Sequence, residues 1–266
     1  MRKILLTIVV ALVSQLAVAS DCTFTNPDLY QGTRLLMAQD GCSYIFAAKE
    51  VKVDADGAPN AYHPDDMGLH CTTGVGFKGL DCPTNAGYPN SNWWHSALLP
   101  DPTNPSKAYV QSSGPYKGFF VSQTSLKDYV KQDIQTEKYV DARSVPYLVF
   151  PGNFYKKKGT GILGDFGYAI NLENGKASPF IVAEVGPPNA RQGEMSIALG
   201  VALGGSSPNP RTGEGTPKGK ILYVIFPRSA KSPPWPVSAD TLSSTVTFLL
   251  EGIGGSKAIL SCADAL

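Results

Sequence analysis

The sequence predicts one mainly β or α+β domain, in which a β-barrel carries a few helices and long loops. Several runs rich in apolar and β-branched residues are bounded by Gly or Pro, as short strands are. The 27 Gly and 21 Pro residues are spread along the chain, which indicates many turns between short elements. Only one segment has a clear helical period. Together these observations argue against a helical bundle.

The strand candidates are residues 118–124, 145–151, 166–172, 180–185 and 221–226. The clearest helix candidate begins near Glu194 and ends before Gly204-Gly205. Within it apolar residues recur at helical spacing: Met195, Ala198, Leu199, Ala202 and Leu203. A second candidate, residues 242–251, contains enough β-branched residues to be ambiguous.

A hairpin is predicted around Asn174-Gly175, because Asn-Gly between two strand-like runs favours a two-residue turn. That turn would place Asp165 directly opposite Glu184. Two carboxylates with Cβ atoms about 5 Å apart cannot both ionise easily, so one is predicted to have the raised pKa of a general acid. A bulge at Pro179 would instead turn Glu184 to the opposite face, and the sequence leaves that alternative open.

A third acid, Glu194, follows a turn-rich loop and is predicted to lie in the first turn of the helix. There the backbone N–H groups and the helix dipole favour an anion, which suits a general base. Taken singly, each of the three acids is better explained as a solvated or dipole-complementing residue. Their convergence through one hairpin and one loop favours a catalytic role for Asp165, Glu184 and Glu194.

The N-terminus has the features of a secretory signal peptide. Arg2 and Lys3 precede an apolar run, residues 4–13, and Ala17-Val18-Ala19 supplies a small-residue cleavage site. We therefore expect residues 1–19 to be removed and residues 20–266 to form a single catalytic domain, secreted or periplasmic. The apolar run is shorter than the roughly 20 residues of a membrane span, so no membrane partner is expected.

All five cysteines follow the signal, in a chain bound for an oxidising compartment, where disulfides are expected. Spacing does not determine the connectivity. We expect the pairs Cys22–Cys42 and Cys71–Cys82, which would leave Cys262 unpaired.

Charge and motifs exclude several classes of protein. The chain has 23 Lys and Arg against 22 Asp and Glu, and loss of Arg2 and Lys3 leaves a net charge near −1. Such a chain has no basic field for nucleic acid. It contains no Gly-x-Ser-x-Gly elbow and no phosphate-binding loop, so neither an acyl hydrolase nor a nucleotide cofactor is indicated. The spacing of His63, His70, His95 and Cys71 fits no zinc pattern, and Pro59 replaces the glycine of a calcium loop, so we expect no metal and no cofactor.

Several motifs of the chain resemble the core of glycoside hydrolase family 75, whose members are chitosanases. The principal ones are Gly164-Asp165, Ala183-Glu184-Val185-Gly186-Pro187 and Gly193-Glu194-Met195-Ser196. Further matching segments bring the resemblance to most of residues 50–205. It implies a double-psi type barrel and an inverting cleavage of chitosan or a related amino-sugar polymer. It also implies essential acids at Glu184, where the family has Asp, and at Glu194.

We expect Glu184 to be the acid, its pKa raised by Asp165, and Glu194 to be the base, with the reverse assignment open. In an inverting enzyme the acid protonates the leaving oxygen and the base activates a water molecule on the opposite face of the sugar. The Glu in place of Asp at position 184 lengthens the side chain and is a departure from the family pattern.

Substrate binding is expected at Trp93 and Trp94, which lie in a loop where an indole can stack on a sugar ring. One indole is expected inside the domain and the other at the cleft. Segments that carry the resemblance add Tyr62, Asp81 and Asn85. A group of acids would attract a polycationic chain, although a solvated acidic face is an equal alternative: Asp54, Asp56, Asp65, Asp66 and Asp81.

The expected partner is therefore a polysaccharide bound by a monomer. Two other functions stay open: a non-catalytic cell-wall glycan-binding barrel, and an exported enzyme that cuts peptidoglycan. The presence of acids at both family positions favours turnover over binding alone.

Overall fold

The structure is a computed structural model that describes residues 22–68 and 82–266. The expected signal peptide, residues 1–19, lies outside the described residues. The strands are β1 Phe24–Tyr30, β2 Thr33–Ala38, β3 Tyr44–Ala48, β4 Val53–Asp54, β5 Pro100–Asp101, β6 Asn104–Ala108, β7 Tyr147–Pro151, β8 Phe166–Asn171, β9 Ala177–Gly186, β10 Met195–Ser196 and β11 Ile221–Phe226.

The helices are few and mostly short. They are α1 Gly152–Tyr155, α2 Ile197–Ala202, α3 Ala239–Gly252 and α4 Gly255–Leu260, with 3₁₀ turns at Trp93–Ser96, Thr136–Lys138 and Ala263–Ala265. The ambiguous candidate at residues 242–251 is thus the helix α3, capped by the Ser238 side chain, which accepts from the Thr241 N–H.

A mixed sheet of nine strands forms the centre of the domain, in the order β1-β2-β3-β11-β8-β9-β7-β10-β4. β7–β9 and β10–β4 are parallel pairs and the other neighbours are antiparallel. The mainly β class is confirmed. Among the described residues no pairing joins the two edge strands, and β4 is only two residues long, so the sheet is not closed into the predicted barrel.

Both faces of the sheet are buried at its centre, as strand β11 illustrates. Leu222 and Val224 pack in the cluster that contains α3, whereas Tyr223 and Ile225 pack with residues of β3 on the other face. A strand buried on both sides reads as a continuous apolar run, and β11 has the predicted bounds. The first three strands were not predicted, and residues 118–124 form isolated bridges instead of the predicted strand.

The hairpin between β8 and β9 has a longer turn than predicted. Phe166 pairs with Ile181 and the Val182 N–H donates to the Asp165 carbonyl at 2.8 Å, so Asp165 does not face Glu184. The turn is anchored by Asn171, whose side-chain amide donates to the Leu203 and Lys218 carbonyls at 2.9 Å each. These long-range contacts override the local preference for a two-residue turn.

A bulge in β9 turns Glu184 to the other face of the sheet. β7 pairs Leu148 with Val182 and then Val149 with Glu184, so one residue of β9 is skipped. Laterally paired residues share a face. Glu184 therefore shares the face of Val149, which belongs to the cluster opposite to that of Leu148 and Val182.

Asp165 pairs with Val182 and so lies on the opposite face from Glu184. The predicted shared site of these two carboxylates is wrong. The bulge that separates them lies at Ala183, which is skipped in the β7 register, and not at Pro179, which pairs regularly with Tyr168.

The disulfide connectivity also differs from the prediction. Cys22 is bonded to Cys262, with Cα atoms 4.8 Å apart, and Cys42 is free and exposed. The segment after α4 returns to the start of β1, a tertiary contact that spacing does not reveal. Cys82 is disulfide-bonded, and its predicted partner Cys71 lies outside the described residues. The Cys22–Cys262 bond fits an oxidising, extracellular environment.

Within the described residues no single helix is long and apolar enough to cross a membrane. The segments Ala239–Gly252 and Gly255–Ala265 meet the length and composition criteria only as a pair bent by 63°. The apolar side chains of α3 at Leu242, Val246 and Leu250 are buried in the core.

Candidate active site

A cleft of about 520 Å³ lies where β4, β9 and the start of β10 meet. Its wall is rich in acids, because Asp54, Asp56, Glu184 and Glu194 all line it. Lys52 is the only cationic residue among the described residues of this wall. We refer to this space as the acidic cleft. Residues 52–56 and 184–188, which are distant in sequence, come together in it through the β7–β9 and β10–β4 pairings.

Glu184 is only 6% exposed, and its carboxyl group accepts hydrogen bonds from Ser125 and Val185. The Ser125 N–H donates to Oε2 at 2.8 Å, the Ser125 hydroxyl donates to Oε1, and the Val185 N–H donates to Oε1 at 2.7 Å. Burial, and then the negative charge of Asp54, raise the pKa of Glu184 to about 8, although these hydrogen bonds oppose the shift. The side chain is thus fixed in position and protonated near neutral pH.

Asp54 is the acid that adjoins Glu184. Its Oδ1 accepts from the Asp56 N–H and its Oδ2 from the Tyr147 hydroxyl, both at 3.0 Å. Burial raises the pKa of Asp54 as well. The charges of Asp54, Asp56 and Glu184 add to burial in raising the pKa of the Tyr147 hydroxyl well above its usual range, which shows how closely the three acids converge.

The sequence placed Asp54 in an acidic field and not beside the catalytic candidate. Position 54 reaches the site because β4 pairs in parallel with β10, where Asp54 faces Ser196. The sequence signal for its importance was its place in the predicted acidic group.

Glu194 lies in the wall of the acidic cleft, half-buried, immediately before β10. Its backbone carbonyl accepts from the Val149 N–H at 2.9 Å, and its Oε2 is 3.7 Å from the point where a Cβ on Gly186 would lie. The carboxylate therefore points toward the end of β9, the strand that carries Glu184.

The predicted place of Glu194 in the first turn of the helix is wrong. α2 begins at Ile197, and the Ser196 side chain caps it by accepting from the Leu199 N–H at 3.1 Å. The helix dipole acts mainly within the terminal turn, so the predicted stabilisation of a Glu194 anion by the helix is lost. The serine two residues later was the available sequence signal for the cap.

Asp165 is fully buried and does not line the acidic cleft. The Ile162 N–H donates to its Oδ2 at 2.7 Å and the Ala230 N–H to its Oδ1 at 3.0 Å. It thus joins the loop before β8 to the loop after β11. Burial raises the pKa of Asp165, and the backbone N–H donors, including those of Arg228 and Ser229, oppose the rise.

The two tryptophans divide as expected, with one inside and one at the cleft. Trp93 is 41% exposed and lines the acidic cleft. Trp94 is 1% exposed, donates from Nε1 to the Pro89 carbonyl at 3.3 Å and stacks on His95. The Trp94 indole is therefore part of the core and does not reach the cleft.

The other candidate binding residues are in different places. Tyr62 lines the acidic cleft and donates its hydroxyl to Asp56 Oδ1 at 2.6 Å. Asn85 is exposed away from the cleft wall, with its N–H donating to Asp66 Oδ2 at 3.0 Å. Asp81 lies outside the described residues.

The predicted acidic group is also split. Asp54 and Asp56 face the cleft, whereas Asp66 accepts backbone N–H groups of the 84–85 turn and Asp65 is exposed. Within residues 22–68 and 82–266 no group of three His, Cys, Asp or Glu side chains is arranged to hold a metal ion.

No protein-family model matches the chain, and no curated protein matches it. The likeness to glycoside hydrolase family 75 therefore rests on the quoted motifs alone.

Proposed function

We propose that the protein is an exported, inverting endo-glycoside hydrolase that cleaves chitosan or a related amino-sugar polysaccharide. The observation that carries the proposal is a buried glutamic acid, Glu184, with a pKa of about 8, in one cleft with a second glutamate, Glu194. A protonated and an ionised carboxyl group in one cleft are the parts that this reaction needs.

Glu184 is the general acid in this proposal. Its proton is retained near neutral pH because burial and Asp54 disfavour the anion. Ser125 and the Val185 N–H hold the carboxyl group in one orientation. Transfer of that proton to the glycosidic oxygen lets the sugar leave as an alcohol.

Glu194 is the general base. It is half-buried and lines the same cleft, so a water molecule between it and the sugar can lose a proton to it as the glycosidic bond breaks. The proton balance closes, since Glu184 loses one proton and Glu194 gains one in each turnover.

Features of the cleft wall suit a cationic sugar chain. Asp54 and Asp56 supply negative charge near Glu184, which attracts ammonium groups. The exposed face of Trp93 is available to stack on a sugar ring. Export is supported by the Cys22–Cys262 disulfide together with the secretory features of residues 1–19.

The test is to incubate the purified protein with chitosan, chitin and peptidoglycan and to measure new reducing ends. Wild type is expected to release them from at least one amino-sugar polymer. Glu194→Gln is expected to lower the rate by about 10²–10⁴-fold while the melting temperature stays nearly unchanged, because the amide keeps the shape but cannot take a proton.

Full turnover by Glu194→Gln would rule out its role as the base. Binding of a polymer without any release by wild type would instead indicate a non-catalytic glycan-binding domain. Release from peptidoglycan alone would place the substrate in the cell wall.

A further inference from the structure

A second space adjoins the acidic cleft on the far side of Glu194. It measures about 360 Å³, and Lys52 and Glu194 line both it and the cleft. We call it the side pocket, and its other lining residues are Glu50, Val51, Asn189, Ala190, Arg191 and Gln192. A polymer bound across the cleft can therefore place a substituent in the side pocket.

Gln192, which lines the side pocket, has a buried amide. Gln192 is 3% exposed, and neither its Nε2 nor its Oε1 has a hydrogen-bond partner among the described residues. A buried polar group without a partner is costly, so such groups in native proteins call for an explanation. Because Gln192 lines the side pocket, a ligand in that space is the candidate for the missing partner.

The backbone at this position is held in place. Gly193 has a φ of +107°, and a Cβ there would lie 2.8 Å from the Ala48 Cβ. The Tyr223 hydroxyl also donates to the Gly193 carbonyl at 3.4 Å. The loop that carries Gln192 is thus fixed, which lowers the entropic cost of binding a ligand there.

The charge of the side pocket differs from that of the cleft. Lys52 and Arg191 balance Glu50 and Glu194 in formal charge, and Arg191 lies 3.7 Å from Glu50 at the exposed rim. An ammonium group gains less here than beside Asp54 and Asp56. A neutral group with one donor and one acceptor is the better complement to a primary amide.

We propose that the side pocket binds the acetamido group of an N-acetylated sugar unit, with the Gln192 amide hydrogen-bonded to its C=O and N–H. This inference rests on the proposed function and refines its substrate to a partly acetylated amino-sugar polymer. The acidic cleft takes a deacetylated unit and the side pocket takes the acetylated unit next to it.

Binding is tested in a Glu184→Gln background, in which hydrolysis does not consume the ligand. The probes are tetrasaccharides of glucosamine, either fully deacetylated or carrying one acetamido group, measured by calorimetry with and without Gln192→Met. We expect Gln192→Met to weaken binding of the acetylated probe about tenfold, because two hydrogen bonds are lost. Its affinity for the deacetylated probe should stay unchanged.

A stability measurement separates binding from a structural role. Because Gln192→Met removes an unpaired buried amide and keeps the shape, its melting temperature is expected to be equal to or above that of the parent. The matched control is Gln111→Met, whose amide donates to the Pro59 carbonyl at 2.7 Å and the Phe120 carbonyl at 3.1 Å and should destabilise. Equal destabilisation by the two variants would overturn the proposal.

The failures of the two proposals are distinguishable. If wild type cleaves polymer but Gln192→Met weakens the binding of both probes equally, the hydrolase proposal stands and the acetamido site is rejected. If binding depends on the acetyl group and on Gln192 but wild type cleaves no polymer, the acetamido site stands and the hydrolase proposal is rejected. If neither tetrasaccharide binds, the acetamido site is rejected.

Discussion

Adjacent strands of the sheet carry two buried carboxyl groups with different surroundings. Burial raises the pKa of both Asp165, immediately before β8, and Glu184, near the end of β9. Asp165 is enclosed by backbone N–H donors from two loops. Glu184 also accepts hydrogen bonds, but it lines a cleft and has Asp54 beside it.

The difference shows that a raised pKa does not by itself identify a catalytic acid. Asp165 has no open path to a substrate, because it is fully buried outside the cleft and both its oxygens are hydrogen-bonded to loops. Glu184 combines a retained proton with access to a cavity and a neighbouring charge that can tune it. Access and partnership therefore decide between function and structure.

The largest expected effect is the loss of activity in Glu184→Gln. An amide cannot donate a proton to the leaving oxygen, so kcat should fall by about 10²–10⁴-fold on the best polymer. Reducing-end release at matched protein concentration measures the effect. The control is Glu173→Gln, an exposed glutamate in the turn of the same hairpin, which should keep wild-type kcat. A Glu184→Gln variant with near-normal kcat would contradict the assignment of the acid.

Asp165→Asn should act on stability instead. The new amide group would face backbone N–H donors, so we expect the free energy of unfolding to fall by about 1–3 kcal/mol in urea titration. The folded fraction should keep a kcat close to that of wild type. A loss of kcat larger than that of Glu184→Gln would transfer the acid role to Asp165 and reverse the comparison.

The β8–β9 hairpin was only partly predictable from the sequence. The existence of both strands followed from their apolar runs, whereas the raised pKa of Glu184 was predicted from a pairing with Asp165. The register could not be predicted, because the turn is held by Asn171, whose side-chain amide donates hydrogen bonds to the carbonyls of residues 203 and 218. The bulge at Ala183 could not be predicted either, because it arises where β9 pairs with the parallel strand β7. The pKa shift was thus predicted with the wrong neighbour.

Long-range pairing explains the other differences. Asp54 adjoins Glu184 through β4 and β10, two strands of two residues each, too short for a periodic sequence signal. Cys22 and Cys262 meet because the segment after α4 returns to the start of β1, and no spacing rule connects positions 240 residues apart. In contrast, the bounds of β11 were predictable because both of its faces are buried.

The pH dependence of stability is a smaller effect that follows from the same contrast. The folded-state pKa of Glu184, about 8, lies above the ordinary value of 4.5, so the native state holds a proton that the unfolded chain releases between these values. The free energy of unfolding should therefore fall as pH rises from about 5 to 8, by at most about 1.4 kcal/mol per pH unit. Urea titrations across this range measure the slope.

Glu184→Gln should flatten this slope without abolishing it. The raised pKa of Asp165 acts in the same direction and is unchanged in that variant. A slope that is identical in wild type and Glu184→Gln would show that Glu184 titrates alike in the folded and unfolded chains.

The smallest expected effect tests the partnership of Asp54 and Glu184. In Asp54→Asn the negative charge that helps to retain the Glu184 proton is lost, while burial, the larger cause of the raised pKa, remains. The alkaline limb of kcat/KM should therefore move to lower pH by about one unit and stay above the ordinary range of a glutamate. The amide can still accept from the Tyr147 hydroxyl or the Asp56 N–H, so the fold should persist. Asp65→Asn, at an exposed acid outside the cleft wall, is the matched control and should not move the limb. An unmoved limb in Asp54→Asn would separate Glu184 from Asp54, whereas complete loss of turnover at every pH would make Asp54 the base in place of Glu194.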